Sequence, residues 1–302
     1  MEQDTRVYLQ RENFLSFIPI KKLLASIYQN KNYNQHKYFF FCDHFKNDKD
    51  KANNSKVKNI INNLNKIKNY KLIFRKENFG LSKNIISGIN AVFKKNEAAI
   101  ILEDDLILNR YAINFLNKSL SYYMNDKAIY SISAYSYLKN YKNQLSNRLL
   151  KIKRHSSWGW ATWKKKWNKV DFHDTKFFNQ KDENFTKLGN DMSLMLWAQN
   201  KSLIDSWAIR FNFYCYSKNL FSIQPRFSLI KNIGNDYSGS HKSLRINFNN
   251  NFKEDFDPIY KNKDTKSFLF KAISSNNINR HIQTIHRPSI KLWIKYLLKK
   301  LI

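Results

Sequence analysis

The stretch Ala99-Ile100-Ile101-Leu102-Glu103-Asp104-Asp105-Leu106 constrains this chain more than any other. An apolar run of strand length closes on three consecutive carboxylates. Three adjacent anions repel one another, and each resists being taken out of water. Two kinds of partner stabilise such a tip: a divalent cation, or hydrogen-bond donors from a polyhydroxyl ligand. A hard cation held by carboxylates commonly also holds substrate phosphates. The alternative is an exposed strand-to-helix loop whose acidic residues cap the helix. Taken alone, the stretch leaves both readings open.

The surrounding pattern places this tip in a fold. Lys37-Tyr38-Phe39-Phe40-Phe41-Cys42 reads as a buried strand ending at Asp43. Tyr70 to Phe74, Ala98 to Leu102 and Ala128 to Ser133 read as further strands, and Arg6-Val7-Tyr8-Leu9 as a first one. Between them lie helical spacings: Leu23, Leu24 and Ile27; Val57, Ile60, Ile61, Leu64 and Ile67; Ile85, Ile86, Ile89 and Val92; Ile113, Leu116 and Leu120. Alternating strand and helix predicts an α/β fold with a mostly parallel central sheet flanked by helices. Such sheets bind ligands at the carboxyl ends of their strands. Asp43, Arg75 and Glu103-Asp104-Asp105 all fall at such ends. Beyond residue 135 the pattern is less regular: a helix from Asp191 to Gln199, a strand at Phe221–Pro225, and a polar, turn-rich segment from Asn232 to His241. Residues 290–302 read as a basic amphipathic helix.

Composition narrows the function classes. The 302 residues carry 53 Lys+Arg against 23 Asp+Glu, a formal charge of +30, which invites a nucleic-acid reading. Lysine is scattered along the whole chain, however, beside heavy use of Asn, Ile, Phe and Tyr. All have A/T-rich codons, so genome bias accounts for much of the excess. A nucleic-acid binder also leaves the acidic tip unexplained. Another carboxylate–metal enzyme, such as a phosphoesterase, would need additional His or Asp ligands at short spacing. Cys42 and Cys215 form neither a disulfide framework nor a zinc site, which fits a reducing cytoplasm. The start, Met1-Glu2-Gln3-Asp4, has no signal-peptide apolar region, and no stretch approaches the ~18 uncharged apolar residues of a membrane span. The expectation is a cytoplasmic protein, free or peripheral on the inner face of the membrane.

Several segments, in order, resemble a bacterial group of GT-A fold glycosyltransferases related to the Golgi N-acetylglucosaminyltransferase that shares the Glu-Asp-Asp motif. They are Arg75-Lys76-Glu77-Asn78-Phe79-Gly80-Leu81-Ser82-Lys83-Asn84, then Ile101 to Leu106, then Trp158-Gly159-Trp160-Ala161-Thr162-Trp163. Asn190-Asp191, Asp205 to Arg210 and Asn232-Ile233-Gly234-Asn235-Asp236-Tyr237-Ser238-Gly239-Ser240-His241 complete the match. The resemblance covers roughly residues 38–241. It implies one GT-A domain over 1–245, with a nucleotide-binding half to about 135 and an acceptor half after it, and a C-terminal extension over 246–302.

It also implies roles. Asp105 would be the direct ligand of a divalent metal, Mn²⁺ or Mg²⁺, with His241 a second metal or diphosphate contact. Glu103 and Asp104 would bond sugar or ribose hydroxyls, Asp43 the nucleotide base, and Arg75 the ribose or diphosphate. Trp158 and Trp160 would stack on a sugar face, with core packing the alternative, and Gly159 would permit close backbone approach. Asp191 would be the general base of an inverting transfer, with an N-cap as its alternative and Asp205 and Asp236 as rivals. The implied partners are a nucleotide-sugar donor, a glycan or lipid-linked acceptor and an anionic membrane surface met by the C-terminal helix. Nucleic acid is not among them.

Overall fold

The computed structural model describes residues 6–11 (backbone only), 18–138, 141, 148–179, 182–234, 251–259, 272–286 and 294. In chain order the elements are β1 (Arg6–Arg11), α1 (Ile18–Tyr28), β2 (Lys37–Cys42), α2 (Asp48–Asn62), β3 (Tyr70–Phe74), α3 (Gly80–Phe93), β4 (Ala98–Glu103), β5 (Leu106–Leu108) and α4 (Ala112–Tyr122). Then come β6 (Ile129–Ser133), β7 (Leu149–Ile152), β8 (Trp160–Trp163), α5 (Lys164–Trp167), α6 (Thr175–Phe178), α7 (Met192–Asn200), α8 (Trp207–Ser217), β9 (Phe221–Pro225), β10 (Ile230–Asn232), β11 (Ala272–Ile273) and α9 (Asn276–Ile285).

The main sheet runs β11-β7-β9-β6-β8-β4-β1-β2-β3. Its β3-β2-β1-β4 block is wholly parallel, as the alternating pattern predicts. The faint Arg6–Leu9 run is the centre of that block: Tyr8 lies opposite both Phe39 and Ile101. β8 enters antiparallel between β4 and β6.

Successive side chains of a strand face opposite sides, and the core divides accordingly. Tyr38, Phe40, Ile100 and Leu102 pack with the buried faces of α1, α2 and α4. Phe41, Ala99 and Ile101 pack with α3, α8 and Trp160. β4 is buried along its whole length, which explains its unbroken apolar run.

Beyond the division expected at residue 245, described residues join the main sheet and core. β11 pairs parallel with β7, and Ile259, Ile278 and Ile282 belong to the main core. Almost all of the expected basic helix at 290–302 lies outside the described residues. Among the described residues, no helix is long and apolar enough to cross a membrane.

Candidate functional site

Because β3, β2, β1 and β4 are parallel, their carboxyl ends share one edge. Gln10 lies opposite Glu103, and Arg11 opposite Cys42, which precedes Asp43. The acidic tip is a strand–turn–strand rather than the loop to a helix considered from sequence. After Glu103 the chain turns at Asp104-Asp105, and β5 pairs antiparallel with β10, setting Leu106 against Asn232.

That second sheet fixes Asp105. Its backbone oxygen accepts from the Ile233 N–H at 2.8 Å. Its Oδ2 accepts from Asn232 Nδ2 at 3.2 Å, while Asn232 Oδ1 accepts from the Gly234 N–H at 2.8 Å. A Cβ on Gly234 would overlap the Asp105 carboxylate, so only glycine leaves room there. Glu103 and Asp104 are buried, 7% and 6% exposed. Gly159 backs this tip. It adopts φ +61°, and a Cβ there would stand 2.8 Å from the Ile230 side chain of β10.

The donor set is all hard oxygen, which suits Mg²⁺ or Mn²⁺. Among the described residues, no group of three or more His, Cys, Asp or Glu is placed to hold a metal. The fit is therefore to an ion held by a single protein carboxylate together with ligand oxygens, the usual state of Mg²⁺ with substrate phosphates. His241 and Asp236 lie outside the described residues.

Asp43 and Arg75 stand at the predicted strand ends, but much of their bonding is internal. Asp43 Oδ1 accepts from the Phe79 N–H at 2.8 Å and the His44 N–H at 2.9 Å; Oδ2 accepts from the Gly80 N–H at 2.9 Å. Its carboxylate thus holds the start of α3. Arg75 donates from Nε to Asn84 Oδ1 at 2.9 Å and from Nη2 to Ser87 Oγ at 2.8 Å, and its guanidinium lies 4.7 Å from the Phe79 ring centre. The spacing of Arg75, Asn78, Gly80 and Asn84 is thereby explained as one braced turn, since Asn78 Nδ2 also donates to the His44 carbonyl at 2.7 Å. Asp205, which is exposed, joins this turn through the Ser82 N–H at 3.1 Å.

Two expected contact residues stand in surroundings that the sequence reading did not anticipate. Trp160 is fully buried; it stacks on Trp207 at 5.2 Å and meets Phe211 and His155 at 5.6 and 4.6 Å. With its ring covered by protein, it packs the core and offers no sugar-stacking face. Trp158 is half-buried, edge-on to Tyr135 at 4.8 Å.

Asp191 is the second. Arg154 Nη1 and Nη2 donate to its Oδ1 and Oδ2 at 2.7 and 2.9 Å, and both side chains are about nine-tenths buried. It stands at the N-cap position of α7, but its side chain makes no cap hydrogen bond there. Burial alone would raise the Asp191 carboxyl, but the charge and hydrogen bonds of Arg154 outweigh it and hold the group below the ordinary carboxylate value. A general base needs a lone pair facing the acceptor and a proton affinity near the working pH. In this arrangement Asp191 offers neither.

Sequence reasoning missed this polar layer. Arg154 lies over the Tyr137 ring at 5.1 Å, and Tyr137 meets His286 at 4.9 Å. His155 accepts or donates at Nδ1 to Ser131 Oγ at 3.0 Å, beneath Trp160 and Phe211. Burial pushes both His155 and His286 down to about 3. The unfolded chain protonates near 6.5, so as pH falls below that value it takes up protons that the folded chain refuses. Stability should drop from about pH 6.5 toward pH 3, by about 1.4 kcal/mol per pH unit for each histidine. Urea unfolding at stepped pH measures this. A flat profile between pH 6.5 and 5 would mean that both imidazoles protonate in place.

No protein-family model matches the chain, and no curated protein matches it. Solved structures do. The mannosyltransferase PcManGT from Pyrobaculum calidifontis, in complex with GDP-Man and Mn²⁺, is 12% identical, with 71% of this chain and 69% of that one covered and a TM-score of 0.41. S. aureus TarS 1–349 in complex with UDP is 13% identical over 48% of this chain and 39% of that one, at a TM-score of 0.34. GalNAc-T7 with UDP, GalNAc and Mn²⁺ is 9% identical over 76% of this chain and 43% of that one, at a TM-score of 0.44. Likenesses at these TM-scores decide neither the site nor its chemistry.

Proposed function

We propose that this chain is a metal-dependent, inverting glycosyltransferase of the GT-A type. It would move a sugar from a nucleotide-sugar donor to a glycan or lipid-linked acceptor in the building of a bacterial surface glycan. The observation that carries the proposal is the Glu103-Asp104-Asp105 turn at the carboxyl edge of the parallel block, braced by β10 against Asp105. The sequence resemblance supports the same reading.

A divalent ion, when bound, neutralises the diphosphate leaving group as a Lewis acid. Asp105 would hold it, with His241 as a second contact. Glu103 and Asp104 would bond donor hydroxyls. Asp43 and Arg75 would shape the nucleotide pocket through the turn before α3 while presenting what bonding capacity remains to the base and phosphates. Inversion needs one carboxylate to take the acceptor proton. Asp205, exposed beside the Gly80 turn, is better placed for this than Asp191.

Thermal shifts test the class. Mn²⁺ with the matching nucleoside diphosphate, at about 100 times its Kd, should stabilise by about 2.7 kcal/mol, read as several degrees. The other nucleotides should shift less, and single-stranded DNA should not match that shift. A shift with DNA alone would favour the nucleic-acid reading.

The basic segment at 290–302 would dock the enzyme on the inner face of the cytoplasmic membrane. Lys291, Lys295, Lys299 and Lys300 each contribute about 1 kcal/mol near an anionic leaflet. Sedimentation with anionic vesicles should be lost on deletion of residues 289–302. Retention of binding by the truncated chain would rule this docking out.

A further inference from the structure

We infer that Asn232, acting with the bare backbone of Gly234, is the positioning residue that sets the direction of the Asp105 carboxylate. The inference rests on the reading of Asp105 as the metal carboxylate.

The geometry is a clamp on one carboxylate oxygen, Asp105 Oδ2. Asn232 ends β10 opposite Leu106, the residue after Asp105, so the pairing of two short strands brings its amide to the tip. From there Nδ2 donates to Asp105 Oδ2 at 3.2 Å. The same amide's Oδ1 accepts from the Gly234 N–H at 2.8 Å, which fixes the amide plane and prevents a flip that would turn its oxygen toward the carboxylate. The Ile233 N–H, donating to the Asp105 carbonyl at 2.8 Å, holds the backbone of the two segments together. Gly234 then passes so close that a single methyl would displace Oδ2. Asn232 is 4% exposed, so this arrangement is sheltered from competing water. One oxygen of Asp105 is steered by an amide donor, and any shift of that oxygen re-aims the whole carboxylate. Partners that orient a ligating carboxylate in this way typically change metal affinity 10–100-fold when removed.

The clamp also predicts selectivity. Mg²⁺ demands near-ideal octahedral geometry, whereas Ca²⁺ accepts flexible, irregular coordination. A carboxylate released from Asn232 should therefore lose Mg²⁺ more than Ca²⁺. A residue that merely stabilised the fold would change both alike.

The test is direct metal binding by the full chain, without turnover. Free Mn²⁺ is followed by electron paramagnetic resonance, alone and with UDP, GDP or CDP, and Mg²⁺ and Ca²⁺ are compared by competition. Asn232→Leu should weaken Mn²⁺ by roughly 10–100-fold and lower the preference for Mg²⁺ over Ca²⁺. Gly234→Ala should do the same by crowding that Oδ2 with Asn232 intact, and it decides the matter if Asn232→Leu fails to fold. If Asp105→Asn binds Mn²⁺ as tightly as the unaltered chain, or if the unaltered chain binds none, the metal reading falls and this inference with it. If Asp105→Asn loses Mn²⁺ while the folded Asn232 and Gly234 variants keep the original affinity and Mg²⁺ preference, the metal reading stands and the clamp is refuted.

Discussion

Asp105→Asn should cut metal-dependent sugar transfer by roughly 10²–10⁴-fold, the several kcal/mol that a Lewis acid contributes to such a transition state. The fold should survive. Asparagine keeps the volume and still offers an oxygen to Asn232 Nδ2, and the backbone bond from Ile233 N–H to the residue 105 carbonyl does not involve the side chain. What is lost is the negative charge opposing the cation. The paired measurements are turnover with the matching nucleotide sugar and Mn²⁺, and the melting temperature without ligand. Full activity in the variant, or undiminished activity of the unaltered chain in excess chelator, would end the metal hypothesis.

The elements that carry Asp105 differ sharply in how far the sequence reveals them. β4 is legible because every residue of it is buried, so it appears as an unbroken apolar run. α3 and α4 are legible because one face of each is buried and the other wet. β1 is marked only by the short Arg6–Leu9 run, although it is an inner strand of the parallel block. β5 and β10 have three residues each, too few for any periodicity, yet their pairing decides what stands against Asp105. α8 escapes for the opposite reason. It is apolar on several sides because Phe211 and Cys215 face one cluster while Ile209 and Phe213 face another, so no amphipathic stripe forms.

Trp158 and Trp160 show a subtler limit. Two residues apart on a strand, they would share a face. Gly159, at φ +61°, breaks the alternation, and the two rings end in clusters on opposite sides of the sheet. A motif can therefore mark the right place while the wrong ring is assigned the contact. Arg154 is harder still: beside Lys151 and Lys153 nothing in the sequence marks it as the buried cation of the three.

That buried pair yields the second large effect. Arg154→Met should destabilise the folded chain by about 3–5 kcal/mol, because it leaves the Asp191 carboxylate buried without its counter-charge. Asp191→Asn should cost a comparable amount by removing the counter-charge of buried Arg154, whose Nη1 would keep the Leu188 carbonyl at 3.2 Å. Each loss should appear as a fall in melting temperature on the order of 10 °C. The double variant Arg154→Met/Asp191→Leu should recover much of the loss, since a buried ion pair exchanged whole for apolar side chains is often neutral. The pair is also pH-dependent in a fixed direction. Because the Asp191 carboxyl is held below its ordinary value, its contribution is present above about pH 4 and is lost as pH falls through the lowered value. Catalysis makes the opposite demand of Asp191, and the two separate cleanly. A general base predicts Asp191→Asn with unchanged melting temperature, normal donor binding and turnover lowered roughly 10²–10⁴-fold. A buried counter-ion predicts the thermal loss, with rescue in the double variant. Asp205→Asn supplies the converse: exposed, and bonded to the Ser82 N–H at the rim of α3, Asp205 should give up turnover with little change in stability if it takes the acceptor proton. Should Asp191→Asn alone lose turnover while its melting temperature holds, the base returns to Asp191, and Arg154 becomes the group that must release it when the acceptor binds.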